Sequence, residues 1–321
     1  MSVTQLRAEI PPALDGQRLD QALASLFQDY SRNRLQQWIK AGQIRVDTRI
    51  LRPRDKVYSG QQVTIQVEET LQGDWSAEAI PLDIVFEDEH LLVINKPAGL
   101  VVHPAAGNYT GTLLNALLHH VPKLATVPRA GIVHRLDKET SGLLVIAKDL
   151  PTHTDLVSQL QARAFEREYL AVVVGVMTAG GTIDAPIGRH PVQRKRMAVV
   201  ARGKPAVTHY RVVERFRAHS LIRVKLETGR THQIRVHMAH IHYPIVGDPV
   251  YGGRLKIPPA CSPVLREALH GFRRQALHAA RLGLMHPVSG DMLHWEAPLP
   301  DDMQVLLAAL HADLSGAGDE Q

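Results

Sequence analysis

The sequence predicts an α+β fold: a large, mostly antiparallel mixed sheet flanked by helices and loops, preceded by a small basic module. Three observations predict it. A chain of 321 residues exceeds the usual range of one core, so a large core with an appended module is expected. Short apolar runs of strand character outnumber helical ones, and the two do not alternate strictly as a doubly wound sheet requires. Between Glu68 and Ala79, the stretch EETLQGDWSAEA carries acids and a Gly but few apolar residues, which is the composition of a linker. The expected division is a module over 1–72, a linker over 73–79, the larger domain over 80–312 and a flexible tail over 313–321.

In the module, DGQRLDQALASLFQDY places Leu19, Ala22, Leu23, Leu26, Phe27 and Tyr30 on one helical face. Ser31 can cap a second helix, RNRLQQWIKAG, whose Leu35, Trp38 and Ile39 face inward and whose Gly42 suits the exit. Short strands follow, with a turn at Pro53 and a closing strand through Val63, Ile65 and Val67. From Ile80, the runs DIVF, LLVI and LVVH are short, branched and broken by EDEH and KPAG, so they read as strands and turns. GTLLNALLHHV spaces Leu113, Leu114, Leu117 and Leu118 as a helix face. Further strands are expected at GLLVIAK, YLAVVVG, THYRVVERF and LIRVKLE, and helices near THTDLVSQLQARAF and PDDMQVLLAALHA. The polar tail DLSGAGDEQ should fray.

Hydrophobic residues make up 45% and charged residues 21%, so the chain can bury a core and disorder is not expected. The formal charge of +5 favours a polyanionic partner only weakly. Its distribution says more. Between Ser31 and Lys56, Arg32, Arg34, Lys40, Arg45, Arg49, Arg52, Arg54 and Lys56 stand against only Asp47 and Asp55, a surface suited to phosphates, although most charge runs are solvated faces. The single Cys261 excludes a disulfide framework and Cys-rich metal sites. The N-terminus lacks a signal-peptide pattern and no apolar run is long enough to span a membrane, so a soluble cytoplasmic protein is expected.

RAGIVHRLDKETSGLLVIAKD sets His134, Arg135, Asp137, Lys138, Thr140 and Ser141 in a polar loop before the strand Leu143 to Ala147, a usual place for catalytic groups. Local chemistry alone also allows a salt-bridged turn. HRLDK followed by ETSG resembles the catalytic-loop motif of the RluA-type pseudouridine synthases. The resemblance continues through LDIVFEDEHLLVINKPAGLVVHP, GTLLNALLHH, REYLAVVVG, IGRHPVQRKRMAVV, KPAVTHYRVVERF, LETGRTHQIRVHM, GDPVYGG and LHAARLGLMHP, nearly all of 80–300. The module, over about 15–70, resembles the S-four-like RNA-binding domain.

The resemblance implies a pseudouridine synthase fold and an enzyme that detaches uracil N1 from ribose C1′, turns the base and rejoins it through C5. It implies no cofactor and no metal. Asp137 falls on the family's universal carboxylate, either nucleophile at C1′ or base at C2′. A carboxylate in a water-poor pocket needs a cation to stay ionised, and Arg230 in TGRTHQIR falls on the residue implied to pair with Asp137; its bland reading is a surface Arg at a strand end. Tyr169 in REYLA falls on the ring that stacks on the flipped uracil; its bland reading is a core Tyr. Arg135 matches the Arg that can enter the RNA stack, or it contacts phosphate. Arg32, Arg34, Arg45, Arg52 and Arg54, with Arg189, Arg194, Lys195 and Arg196, fit a phosphate-binding surface. The implied partner is large-subunit ribosomal RNA, at the hairpin loop that contacts the small subunit, bound by a monomer.

Rival readings remain on the residues. THQIRVHMAHIH is His-rich but lacks the spacing of a metal site. Glu139 lies close in sequence to Asp137, and two positions of one short loop are not expected to flank a glycosidic bond from opposite sides as in a hydrolase. No GxxxxGK[ST] or GxGxxG run supports a nucleotide-driven enzyme. A related synthase acting on other ribosomal or transfer RNA sites, or a ribosome-assembly factor that binds RNA without catalysis, is the remaining alternative.

Overall fold

The computed structural model describes residues 3–27, 30, 32–68, 75–104, 108–193 and 196–316, with backbone alone at 3–4, 32–34, 67–68 and 316. The N-terminal module is a three-stranded antiparallel sheet carrying two helices: β1 (Val3–Glu9), α1 (Leu19–Leu26), α2 (Arg32–Lys40), β2 (Ile44–Val46) and β3 (Gln62–Glu68), in strand order β1-β3-β2. Leu19, Leu23, Leu35, Trp38, Ile39, Val63 and Ile65 form its core, the faces that the helical and alternating patterns predict. Gly42 takes φ +72 just beyond α2, the left-handed exit expected of it. The N-cap expected of Ser31 lies outside the described residues. Strand β1 was not expected from the sequence. VTQLRAE is largely polar, and it becomes a strand by pairing along its whole length with β3 at the sheet edge.

The larger domain opens with β4 (Ile84–Glu87), β5 (Leu91–Lys96), α3 (Leu113–His120), β6 (Ser141–Ala147), α4 (Leu150–Gln161) and β7 (Glu166–Val174). It continues through β8 (Gly181–Asp184), β9 (Ile187–Arg189), β10 (Met197–Val199), β11 (Val207–Arg215), β12 (His219–Leu226) and α5 (Gln233–His240). It closes with α6 (Pro263–Gly271), β13 (Leu277–Met285), β14 (Met292–Glu296) and α7 (Asp301–Gly316). Nine strands form one mixed sheet in the order β4-β5-β6-β13-β7-β12-β11-β8, with β14 beside β13. Only β6 and β13 run parallel among its described pairings, so the expected α+β class with a mostly antiparallel sheet holds.

Strands β5 and β6 show why their sequences are continuous apolar runs rather than alternating ones. Leu92, Ile94, Leu144 and Ile146 enter the core on one face of the sheet, whereas Leu91, Val93, Leu143, Val145 and Ala147 pack against α4 and Phe165 on the other. A strand buried on both faces needs apolar side chains at every position. The run LVVH departs from expectation: it forms a turn with a single bridge from Val101 to Thr112. Helix α7 runs to Gly316, past the expected start of a loose tail, because Asp313 is buried in an ion pair with Arg217 and accepts from the Ser262 N–H. Among the described residues no helix is long and apolar enough to cross a membrane.

Candidate active site

A cavity of about 870 Å³ opens beside the central strands, walled by the loop 132–137, the face of β7 that carries Tyr169, and the segment from Leu226 through Arg235. The loop is tied down residue by residue. His134 Nε2 accepts the Val145 N–H of β6, and burial, with the nearby Arg167 charge, pushes its pKa down to about 3, so the ring serves as a neutral acceptor. The Asp137 carbonyl accepts from the Thr140 N–H, closing a tight turn. Thr140 Oγ1 in turn accepts from Gln275, and the Glu139 carbonyl accepts from Arg274. Immediately after the turn, Gly142 takes φ +112, and a Cβ there would stand 2.2 Å from the Ala279 carbonyl oxygen, so only glycine lets β6 approach β13.

Lys96 anchors the same loop from below. Fully buried, it donates from Nζ to the carbonyls of Pro97 (2.7 Å), Leu100 (3.0 Å) and Lys138 (3.0 Å), and Gly99 N–H also donates to Lys138 O. Burial pushes its pKa down to about 7, opposed by the charges of Glu139 and Asp137. Three carbonyl acceptors match the three N–H groups of an ammonium.

Asp137 does not meet Arg230. Its Oδ2 accepts from Arg235 Nη1 at 2.9 Å, while Arg230 turns away and donates from Nε to Pro205 O at 3.1 Å. The correction has a local cause. Thr228, Arg230 and Gln233 form a knot in which Gln233 Oε1 accepts from both the Arg230 N–H and the Thr228 hydroxyl. Helix α5 starts just after it, from His232 in the left-handed region at φ +57, and carries Arg235 inward. The sequence contains no apolar stripe at 233–240, because Gln233, Ile234, Arg235, Val236, His237 and Met238 are all buried, and a helix buried all round has no amphipathic signature.

Arg235 is fixed at its other edge by Asp248, with Nε at 2.7 Å and Nη2 at 2.9 Å, and its guanidinium lies 5.1 Å from the Tyr251 ring centroid. Burial works to raise the Asp248 carboxyl, but Arg235 and the N–H groups of Tyr251 and Val250 outweigh it and hold it below the usual range. Burial works against the charge on Arg235, and Asp248 and Asp137 overcome it, raising the group above its ordinary value. His232 approaches Asp137 Oδ1 at 3.8 Å. Its other nitrogen is hydrogen-bonded to the Tyr251 hydroxyl at 2.9 Å, and that hydroxyl also accepts from the Met197 N–H. Burial holds His232 below its usual pKa. Asp248 and Tyr251 were not singled out by sequence reasoning, although they stand in the quoted GDPVYGG.

Tyr169 lines the cavity from β7, nearly buried; burial pushes its hydroxyl up, with Arg167 acting in the opposite sense and Asp137 in the same one. Arg135 is exposed at the cavity. Arg189 is exposed on β9, remote in sequence from the loop, and Arg196 donates to the Val250 carbonyl. Arg45, Arg52 and Arg54 are exposed on the module and make no ion pair among the described residues. Arg32 and Arg34 are described by backbone only, and Arg194 and Lys195 lie outside the described residues. In the His-rich stretch, His237 is engaged by Thr208 and the Ala185 carbonyl, and no group of described residues is placed to hold a metal ion.

These features can be set beside known proteins. The RNA pseudouridylate synthase family matches residues 90–240, which contain Asp137, Tyr169 and Arg235, and the S4 domain matches residues 17–63. A ribosomal large subunit pseudouridine synthase D of Pseudomonas aeruginosa is 64% identical over 309 residues, covering 96% of this chain and 97% of that protein. One from Escherichia coli (strain K12) is 55% identical over 317 residues, covering 98% and 97%. Among solved structures, human RNA pseudouridylate synthase domain containing 4 aligns with a TM-score of 0.56 at 28% identity, covering 71% of this chain and 93% of that one. Human RNA pseudouridylate synthase domain containing 1, at 24% identity and a TM-score of 0.53, shares the fold, covering 74% and 97%. With relatives this similar along almost the whole length, and a matched segment that holds the cavity carboxylate and its arginine, the chain belongs to the RNA pseudouridylate synthase family.

Proposed function

We propose that this chain isomerises uridines to pseudouridine in large-subunit ribosomal RNA, with Asp137 as the carboxylate that acts at the sugar. The observation that carries the reading is the 2.9 Å Asp137–Arg235 ion pair in the wall of a cavity that Tyr169 also lines. An extruded uridine entering there would meet the carboxylate with the Tyr169 ring beside it. Arg235 orients Asp137 and balances its charge beside a polyanion. Isomerisation consumes no oxidant and no second substrate, so positioned side chains are sufficient for it.

The substrate reading rests on the names of the relatives and on the exposed Arg45, Arg52 and Arg54 of the module, a phosphate-facing surface. Arg135 at the cavity would fill the stack vacated by the base. The target is the hairpin loop of intersubunit helix sixty-nine, modified by a monomer in the cytoplasm. Asp137→Asn, measured by tritium release from C5-labelled uridine in transcribed RNA, should release nothing while RNA affinity stays within about threefold, since the base-pocket carboxylate contributes little to phosphate binding. Undiminished release would sink the assignment. Mapping pseudouridines in ribosomal RNA from a strain lacking the protein identifies the target; an unchanged helix sixty-nine loop would exclude it.

A further inference from the structure

Three arginines of the described residues are buried below a tenth of their surface, and two of them are saturated. Arg235 is held by Asp137 and Asp248, and Arg274 by Asp302 and two carbonyls. Arg167 is 9% exposed, and among the described residues it has no carboxylate within ion-pair distance and its Nε has no hydrogen-bond partner. A buried cation without a partner is costly, and a guanidinium cannot shed its proton to escape the cost. Such a group persists where something else meets its charge.

The surroundings indicate what that is. Arg167 stands two residues before Tyr169 on β7, so both side chains project from one face, and both line the cavity. Of the charges acting on the Tyr169 hydroxyl, that of Arg167 is the largest. The guanidinium lies against Gly229, where a Cβ would stand 3.0 Å from Nη1. Apart from Arg235, the other arginines of the cavity, Arg129, Arg135, Arg163 and Arg230, are all more exposed, as suits contacts to a solvated phosphate backbone, and Arg163 already pairs with Glu227. The low exposure of Arg167 suits contact with an extruded base rather than with a solvated phosphate.

We propose that Arg167 is a further catalytic residue that binds the uracil oxygens and carries the negative charge of the base while it is detached from the sugar. The proposal rests on the synthase reading above. When C1′–N1 breaks, its electron pair leaves with the uracil, giving an anion spread over N1, O2 and O4. Bond formation from C5 to C1′ returns a pair to the sugar, and loss of the C5 proton with protonation at N1 completes the isomerisation. A preorganised cation helps most where charge develops, so its effect falls on the rate rather than on binding.

The test compares Arg167→Met, Arg167→Gln and Arg167→Lys with the unaltered chain in single-turnover tritium release at saturating RNA, alongside filter binding across a salt series. The expected result is a rate lowered about a hundredfold in the Met and Gln variants and partly restored in Lys, with affinity within about threefold and the salt slope unchanged. A rate within threefold of the unaltered chain in all three overturns the proposal. So does lost affinity with a salt slope reduced by about one and a full rate at saturation, which identifies a phosphate contact instead. If the Met variant fails to fold, the Lys and Gln variants decide. An unaltered chain that releases no tritium would refute the synthase reading itself, and is thereby distinguishable from failure of this inference alone.

Discussion

Lys96 and Asp137 never touch, yet the first sets the position of the second. The ammonium gathers three carbonyls, one of them the Lys138 carbonyl next to Asp137, so the loop is pinned at its turn from beneath. Replacing Lys96 by Met shortens the side chain by one atom, keeps it unbranched and apolar, and removes every donor. The Lys138 carbonyl keeps the Gly99 N–H, while those of Pro97 and Leu100 lose this donor. A loop displaced by less than 1 Å is enough to misalign a reacting carboxylate. The expected outcome for Lys96→Met is a single-turnover rate about ten- to a hundredfold lower with RNA affinity unchanged, measured as tritium release and filter binding. A full rate would show that the loop holds itself.

At the scale of the element, α5 decides which arginine serves the site. Arg230 and Arg235 stand in one eight-residue motif, and the resemblance alone assigns the pairing with Asp137 to the first. The knot at Gln233 and the helix after it give the second instead. Arg235→Gln should lower the rate about a hundredfold, because Asp137 and Asp248 both lose a charged donor in a buried setting. Arg230→Gln should leave the rate within about threefold, since the Arg230 guanidinium is half-exposed and donates only to a carbonyl. Equal losses in the two variants would contradict this division of roles. The same element shows where sequence reading stops. Strands β5 and β6 and helices α1 and α2 announce themselves by apolar runs or stripes, whereas α5 mixes Gln, Arg and His with Ile, Val and Met and buries every residue from Gln233 to Met238. Its polar side chains are satisfied by partners on distant strands, such as Thr208 for His237.

Across the whole molecule, buried histidines make stability depend on pH. Burial pushes His134 down to about 3 and His153 and His219 down to about 4, against an ordinary 6.5. Below pH 6.5 the unfolded chain takes up protons that these folded rings refuse, so stability falls as pH drops from 6.5 toward 4. The loss should reach roughly 1–2 kcal/mol per ring by pH 5, seen as a falling melting temperature. The depressed carboxyls of Asp248, Asp149 and Asp313 add their loss only below about their ordinary 3.8. A melting temperature that stays flat from pH 7 to 5 would show that the rings open to solvent without cost. The two cores, one in the N-terminal module and one around the large sheet, each follow from local apolar pattern.

The sequence by itself determined the α+β class, the basic module and the loop that holds Asp137, because strand and helix periodicity and a long contiguous motif are local properties. Tertiary structure decided what stands around that carboxylate. Arg235 reaches Asp137 across 98 residues of chain, and Asp248 fixes Arg235 from a third segment. Arg167 is left without a counterion by the same packing. Which charges are paired in a buried site depends on how distant segments are brought together, and spacing along the chain carries no record of that distance.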